Sequence, residues 1–508
     1  MQFIIRCFLL LVVLQLIGVP FSAIGQSKNS AFIAGDFADP SIIRSGGLYY
    51  ATATSSEWAP HFPVYVSADL KSWKQTGYVF DKTPGWTSGS FWAPEYYQIG
   101  KTYYIYYTAR RKKDGISCIG VATSAYPDKG FQDHGVLVEL GKEAIDPFVY
   151  KDNGRLYITF KAYGLDGQPI EIVGRQLSAD GLRVEGELFS LLKDDNRIGM
   201  EGQSILKHEN YYYLFYSAGD CCGTGCSYNV RVARSKNFTG PYEKYDKDPL
   251  LKGDSMWSCT GHGTFVSTPD HAVYYLHHAY LKNSNVFTGR QGLLARLSWP
   301  ASGSNWPVLT ELENSTETVI NIKDTFSTTK LASFWQWDFR NASPDIIEGN
   351  GKLTLSGTYK ATNQTGIALT VRPVSDHFEI STTVVNSNAA LKGLVFYGDA
   401  SAAAGIGVRG NEVELWMVHN NIRKILAKAG LGDGDDPVIL KFVMQPDKTC
   451  KAFYHQSSKA WQELRAKGTS LDVSFLPQWD RSPRPGLLFN GKPEESAVFS
   501  TFELVNLK

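Results

Sequence analysis

The chain has 508 residues, with 51 Lys+Arg against 50 Asp+Glu and a net charge of +1. So even a balance argues against nucleic acid as the main partner, because phosphate binding needs a basic face. At 43% apolar and 20% charged residues, the composition is that of a folded globular protein and excludes a disordered one. The 27 Tyr, 27 Phe, 12 Trp and 47 Gly favour strands and tight turns, and long runs of helical periodicity are hard to find. The chain reads as all-β.

Residues 1–25 read as a signal peptide. Arg6 supplies the positive end, Phe8 to Val19 is nearly all apolar, and Ala23-Ile24-Gly25 offers small residues for cleavage. An apolar run of about twelve residues is short of the roughly twenty that a membrane span needs, and no later stretch is longer. The expectation is an exported protein, periplasmic or extracellular, without a membrane span. In an oxidising compartment local disulfides are expected around Cys221, Cys222 and Cys226; a zinc site is the rival, with no second Cys/His cluster to complete it.

A motif then recurs. Asp39-Pro-Ser opens a segment whose aromatic pair is Tyr49-Tyr50. Ala93-Pro-Glu precedes Tyr103-Tyr104, Asp146-Pro-Phe precedes Leu156-Tyr157, and Glu201-Gly-Gln precedes Tyr211-Tyr212. A looser fifth copy runs from Gly261-His262 to Tyr274-Tyr275. Each copy is a strand, a polar turn and a second strand, hence a hairpin. Further strand-like stretches follow, such as Phe62 to Val66, Ile119 to Thr123 and Val230 to Ala233. Four strands in each of five repeats predict a five-bladed β-propeller over residues 30–310. A single β-sandwich would not return the same hairpin at constant spacing.

In a propeller the first strand of each blade lines the central channel, so equivalent opening residues form a ring. That ring would hold Asp39, Ala93, Asp146, Glu201 and, one place adrift, His262. Like charges brought together are costly unless they share protons or bind something. Glycoside hydrolysis needs two carboxyl groups, one to protonate the leaving oxygen and one to activate water or attack carbon. A third acid nearby can raise the proton donor's pKa. For any one acid the plainer reading is a turn cap before Pro; for the set, calcium bound near the axis beside His262 is the alternative.

The openings Ala38-Asp39-Pro-Ser, Trp92-Ala-Pro-Glu95, Ile145-Asp146-Pro and Met200-Glu201-Gly, with Gly240-Pro241-Tyr242 and Gly289-Arg290, resemble glycoside hydrolase family 43 over about residues 30 to 310. The resemblance implies a five-bladed propeller and an inverting mechanism that requires no cofactor. Carried onto the matching positions, it implies Asp39 as general base, Asp146 as the residue tuning pKa and orientation, and Glu201 as general acid. It also places His262 deep on the axis, near a water or metal. Gln203 departs from the Pro that many members have after Glu-Gly. The related invertase-like enzymes carry Asn-Asp-Pro-Asn and Glu-Cys motifs, and neither is present. Trp92 is a candidate sugar-stacking residue or a core Trp. Arg290 is a candidate ligand of sugar hydroxyls or of a catalytic acid, against a surface salt bridge. His262 is a substrate-side candidate or a satisfied core histidine. Trp73 and Trp86 are read as packing residues.

After Trp299-Pro300 the repeat stops, and Thr310 to Thr318 reads as a linker. Period-two runs at Phe378 to Val384, Val413 to Met417 and Val438 to Met444 predict an antiparallel sandwich over residues 322–508. It resembles the concanavalin-like, jelly-roll domain appended to many family members, and would buttress the propeller, donate a loop to its rim or bind sugar. The expected activity is release of α-L-arabinofuranosyl or β-D-xylosyl residues from plant polysaccharide or oligosaccharides. Endo-arabinanase, exo-galactanase and a non-catalytic glycan-binding propeller are the alternatives.

Overall fold

The computed structural model describes residues 30–165, 168–247, 249–282, 285–300, 306–315, 320–432, 436–456, 460–467 and 469–507. The signal-peptide reading falls on residues outside this set. Five four-stranded antiparallel sheets come first, each in sequential strand order. Their innermost strands are Ser41–Ser45, Thr87–Ile99, Glu143–Asp152, Met200–His208 and Trp257–Ser267. Each of these strands neighbours the next, and the fifth neighbours the first, so the ring closes. A β-bridge from Ile33 to Gly292 latches the N-terminal segment to blade five.

The aromatic strands explain why the blades stack. Tyr104, Tyr106, Ile119 and Val121 of blade two share a core with Val149, Ile158 and Phe160 of blade three. Equivalent cores join the other neighbouring pairs, including Ile42 and Tyr49 of blade one with Val266 and Leu276 of blade five. Burial of these rings and branched side chains is what holds each blade to the next.

The blade-four repeat is offset by one residue from its sequence reading. Asp39, Ala93 and Asp146 lie six residues before the strand ends Ser45, Ile99 and Asp152, where two-residue turns begin. Six residues before the matching end, His208, lies Gly202 rather than Glu201. The left-handed backbone repeats at the same places, with φ of 51° at Asp39, 42° at Ala93, 56° at Asp146, 60° at Gly202 and 30° at His262. Blade four carries a run of three tyrosines, Tyr211 to Tyr213, so either pair within it satisfies the motif. Glu201 is thus paired strand, opposite Ser217, one place before the bulge.

Val308–Glu311 completes blade five, pairing Thr310 with Arg296 and Glu311 with Ala295. The first two residues of the expected linker are therefore strand. The second region packs two antiparallel sheets face to face. One contains Ala342–Gly349, Lys352–Tyr359, Ala497–Asn506, Phe378–Val384, Val438–Met444 and Thr449–Gln456 in spatial order, extended by shorter strands. The other runs from Gln336–Asp338 through Ile367–Thr370, Arg484–Asn490, Leu391–Asp399, Ala402–Arg409 and Glu412–His419 to Ile422–Gly430. Its outermost strand is Trp58–Ala59, lent by the propeller and paired with Gln336–Asp338. Trp58 is fully buried there, with the Arg484 guanidinium 4.3 Å from its ring centre. The two regions share an edge strand and bury a tryptophan between them.

Candidate active site

The ring of opening residues is held by a second ring that the motif search did not use. The Asp39 N–H donates to His278 Nδ1 at 3.0 Å, Ala93 to Thr54 Oγ1 at 2.9 Å, Asp146 to Thr108 Oγ1 at 3.1 Å, and His262 to Ser217 Oγ at 2.7 Å. Each acceptor comes from the preceding blade, on its second strand or just beyond it. Bulged residues present unpaired N–H groups, which must find partners when buried. The blade-three counterpart is Lys161, which instead reaches Glu201. Thr54, Thr108, Lys161, Ser217 and His278 follow one another at 54, 53, 56 and 61 residues, a spacing visible in the sequence.

Asp39 is the most heavily supported acid. Arg290 Nη1 donates to its two oxygens at 3.2 and 3.4 Å, and Thr54 Oγ1 donates to Oδ2 at 2.7 Å. His262 Nδ1 stands 3.5 Å from Oδ1. Burial alone would raise its pKa, but Arg290 and the His262 contact outweigh it and hold the carboxyl far below the usual range. His278 is also 3.4 Å from Asp39 Oδ1. Because its Nδ1 accepts the Asp39 N–H, it is a neutral ring, and burial keeps it so.

His262 sits between two carboxylates, with Nδ1 3.8 Å from Asp146 Oδ2 as well. Burial works against its charge, yet Asp146 and Asp39 raise it to about 9, so it is an imidazolium. The residue is only 8% exposed, and its ring faces both acids. Among the described residues no group of three or more His, Cys, Asp and Glu could hold a metal ion. The positive group that stands between the two acids is the His262 imidazolium.

Glu201 and Asp146 form the other half. Glu201 Oε2 accepts Lys161 Nζ at 2.6 Å and Oε1 accepts the Tyr228 hydroxyl at 2.9 Å. Burial pushes Glu201 up, but Lys161 and Tyr228 bring it below its ordinary value. Asp146 Oδ2 accepts the Gly202 N–H at 3.0 Å; burial, with Glu201 adding to it, raises this carboxyl to about 6. In the free site the raised pKa therefore lies on Asp146, not on Glu201 as expected, because Lys161 compensates one acid and leaves the other buried. Gln203, the departure from the family pattern, donates to the carbonyls of Asp146 at 2.6 Å and Thr159 at 3.1 Å and so braces the bulge that carries Asp146. Proline at that position could not.

Arg290 is 3% exposed, so the surface salt bridge is excluded; it binds a catalytic candidate directly. Its Nη2 donates to the carbonyl of Asp480 at 3.1 Å, while the Trp92 indole N–H donates to the Asp480 carboxylate at 3.1 Å. Trp92 is half-buried at the mouth and is not a core residue. Asp480 lies on a sandwich loop, so the second region donates part of the rim. Trp479 beside it is 62% exposed. Trp73 and Trp86 pack as read, the first against the cluster around Tyr65 and the second against Tyr107. Cys221–Cys222 and Cys226–Cys259 are disulfides, which removes the zinc reading. Cys226–Cys259 ties the blade-four loop that presents Tyr228 to blade five.

Comparison with known proteins gives the family of both regions. The chain matches the model of Glycosyl hydrolases family 43 over residues 29–307, and that of the Beta xylosidase C-terminal Concanavalin A-like domain over residues 323–481. It is 30% identical over 313 residues to the extracellular exo-alpha-(1->5)-L-arabinofuranosidase ArbA of Cellvibrio japonicus, covering 55% of this chain and 87% of that protein. With the extracellular endo-alpha-(1->5)-L-arabinanase 1 of Bacillus subtilis it shares 26% over 292 residues, 53% of this chain and 86% of that one. Identity to the xylan 1,3-beta-xylosidase of a Vibrio species is 26% over 305 residues, 53% and 55% of the two chains. The two-region fold is shared with the GH43 BlXynB protein of Bacillus licheniformis, at a TM-score of 0.79 and 21% identity over 94% of this chain and 100% of that one. It is shared equally with a xylan beta-1,4-xylosidase of Bacillus halodurans, at 0.80 and 22% over 94% and 99%.

Proposed function

Since the chain belongs to the glycosyl hydrolases of family 43 and is a glycosidase of O-glycosyl bonds, we propose that it releases α-L-arabinofuranosyl residues from plant cell-wall polysaccharide or oligosaccharides by inversion. Asp39 is the general base, Glu201 the general acid, and Asp146 tunes and orients the pair. One observation carries this reading: among the described residues Asp39 and Glu201 share no hydrogen-bond partner, and each is held by a separate cation, Arg290 and Lys161. Inversion asks for two carboxyl groups set apart, with room for a water between sugar and base.

The chemistry follows from that arrangement. Arg290 keeps Asp39 ionised at any working pH, so it is always ready to accept the water's proton as the oxygen attacks the anomeric carbon. Its low basicity limits proton transfer, but its charge also stabilises the positive sugar that develops. Glu201 must carry a proton to give to the leaving oxygen. Asp146 and Glu201 are coupled, so the proton that Asp146 holds below about pH 6 belongs to the pair. A neutral sugar seated over Glu201 removes remaining water and draws that proton toward the leaving oxygen. Trp92 offers a face for the sugar at the mouth.

Arabinofuranosyl specificity is supported by the arabinan-acting relatives. A second reading, β-D-xylosyl release, is supported by the xylosidase relative and by the xylosidase-type second region. Export to the periplasm or exterior is supported by the extracellular relatives. No helix among the described residues is long and apolar enough to cross a membrane. The test is a panel of arabino- and xylo-oligosaccharides and aryl pentosides, with Glu201→Gln alongside. Release of arabinose is expected. In the variant, loss of about 10²–10⁴-fold is expected on natural glycosides and much less on dinitrophenyl pentosides, whose leaving group needs no proton. Release of no pentose, or equal loss on both substrate types, would overturn the assignment.

A further inference from the structure

Beside the proton donor lies a second cavity, of about 380 Å³, within the range of small-ligand sites. It opens between blades four and five, at the end of the propeller where the acids sit. Its lining includes Ser227, Tyr228, Asn229, Arg231, Lys252 and Lys282. Tyr228 is the wall shared with the catalytic centre, since its hydroxyl is the one that donates to Glu201. Whatever fills this cavity therefore lies on the side from which the leaving group departs.

Its charge is one-sided. No Asp or Glu is among the described lining residues, and none of the three cations has a carboxylate partner among the described residues. Arg231 donates its Nε to Asn229 Oδ1 at 2.9 Å, which orients the guanidinium and leaves both Nη groups without a partner there. Lys282 donates only to the carbonyl of Asp254, a neutral acceptor. Lys252 is exposed. The Ser227 hydroxyl accepts the Asp220 N–H and the Asn229 amide bonds Ala218, Ser227 and Arg231, so the cations are the groups left to meet a ligand. Three cations lining one concave site attract an anion, and Arg231 carries the planar fork that suits a carboxylate.

We propose that this cavity binds the carboxylate of an acidic sugar on the leaving-group side of the scissile bond. This rests on the glycosidase reading of the neighbouring site, and it narrows the substrate: a pentose attached to a uronate-bearing backbone rather than to a neutral one. The ring carboxylate is the anionic group that a uronate in a polysaccharide backbone supplies on the leaving-group side. Inorganic phosphate offers an anion without the ring.

The experiment has two arms. Calorimetry compares binding of an oligogalacturonate or glucuronate oligomer with a neutral oligosaccharide of the same length, and with inorganic phosphate, in the wild type and in Lys252→Ala/Lys282→Ala. Kinetics compares pentosyl substrates that differ only in whether the leaving side carries a uronate. The double variant is expected to lose about five-fold in kcat/KM on the acidic substrate through KM, the two exposed charge contacts together being worth about 1 kcal/mol. Neutral substrates should change by less than two-fold, and added salt should erase the wild-type preference. Equal affinity for acidic and neutral oligomers, phosphate binding as tightly as the uronates, or equal loss on both substrates would overturn the proposal. The binding arm needs no turnover. Uronate binding by a protein that cleaves no pentoside would refute the parent reading alone.

Discussion

Gly202→Ala is the smallest change that should disable the site. A Cβ built at Gly202 stands 2.6 Å from His262 Cγ, 2.9 Å from Nδ1 and 3.0 Å from Cβ. The backbone is left-handed here, but so are Asp39, Ala93 and Asp146 at the equivalent places. Conformation alone should thus cost only about 1 kcal/mol. The collision decides the outcome. To reach an ordinary contact of 3.4 Å, the imidazole must retreat by roughly 0.8 Å, which disturbs the Nδ1 contacts to Asp39 at 3.5 Å and Asp146 at 3.8 Å. Displacement on the order of 1 Å in a catalytic constellation costs about 10²-fold. The assay is kcat on an aryl pentoside, with thermal unfolding as the check on folding. Gly154→Ala serves as the control: it is also left-handed, at φ 82°, but has open space around its Cβ. It should lose a little stability and no rate. A folded Gly202→Ala enzyme within two-fold of wild-type kcat would refute the role given to the His262 bridge.

Lys161→Met should move the basic limb of kcat/KM to higher pH, because removing the cation lets burial raise Glu201 and keeps it protonated longer; an unmoved limb would detach Lys161 from the acid. Methionine is preferred to alanine because it fills the same buried space. Glu95 is buried against Ser41, 2.7 Å away, and pushed up to about 8. The folded chain then holds a proton that the unfolded chain releases, so stability falls as pH rises from about 4.5 to about 8. Glu95→Gln should remove that slope, on the order of 4 kcal/mol, in chemical denaturation at pH 5 and pH 9; an unchanged slope would place the titration elsewhere.

The propeller was legible because its unit is local. A hairpin with a two-residue turn writes its period into 15 consecutive residues, and repetition at constant spacing names the architecture. The acid ring followed, since equivalent positions in a closed ring must converge. What failed was register within a redundant run: three tyrosines in blade four allowed a one-residue slip, and only the hydrogen-bonded pairing places Gly202 in the ring and Glu201 beside it. Lys161 and Tyr228 were invisible as single residues because their significance lies in contacts between strands 27 and 40 residues apart. Asp480 is 388 residues from Trp92, and no local pattern anticipates a sandwich loop closing over a propeller mouth. By contrast the polar acceptors Thr54, Thr108, Ser217 and His278 do recur at the blade spacing. A search for polar residues repeating with the hairpin would have found them.

The central claim is that Asp39 activates water while Glu201 protonates the leaving group from a separate position. The stereochemistry of the released sugar tests it most directly. Proton NMR during the first turnovers on an α-L-arabinofuranoside, before mutarotation equilibrates the product, should show the β anomer of arabinose appearing first. The α anomer appearing first, or a glycosyl adduct trapped on Asp39, would contradict the account and make that residue a nucleophile instead of a base.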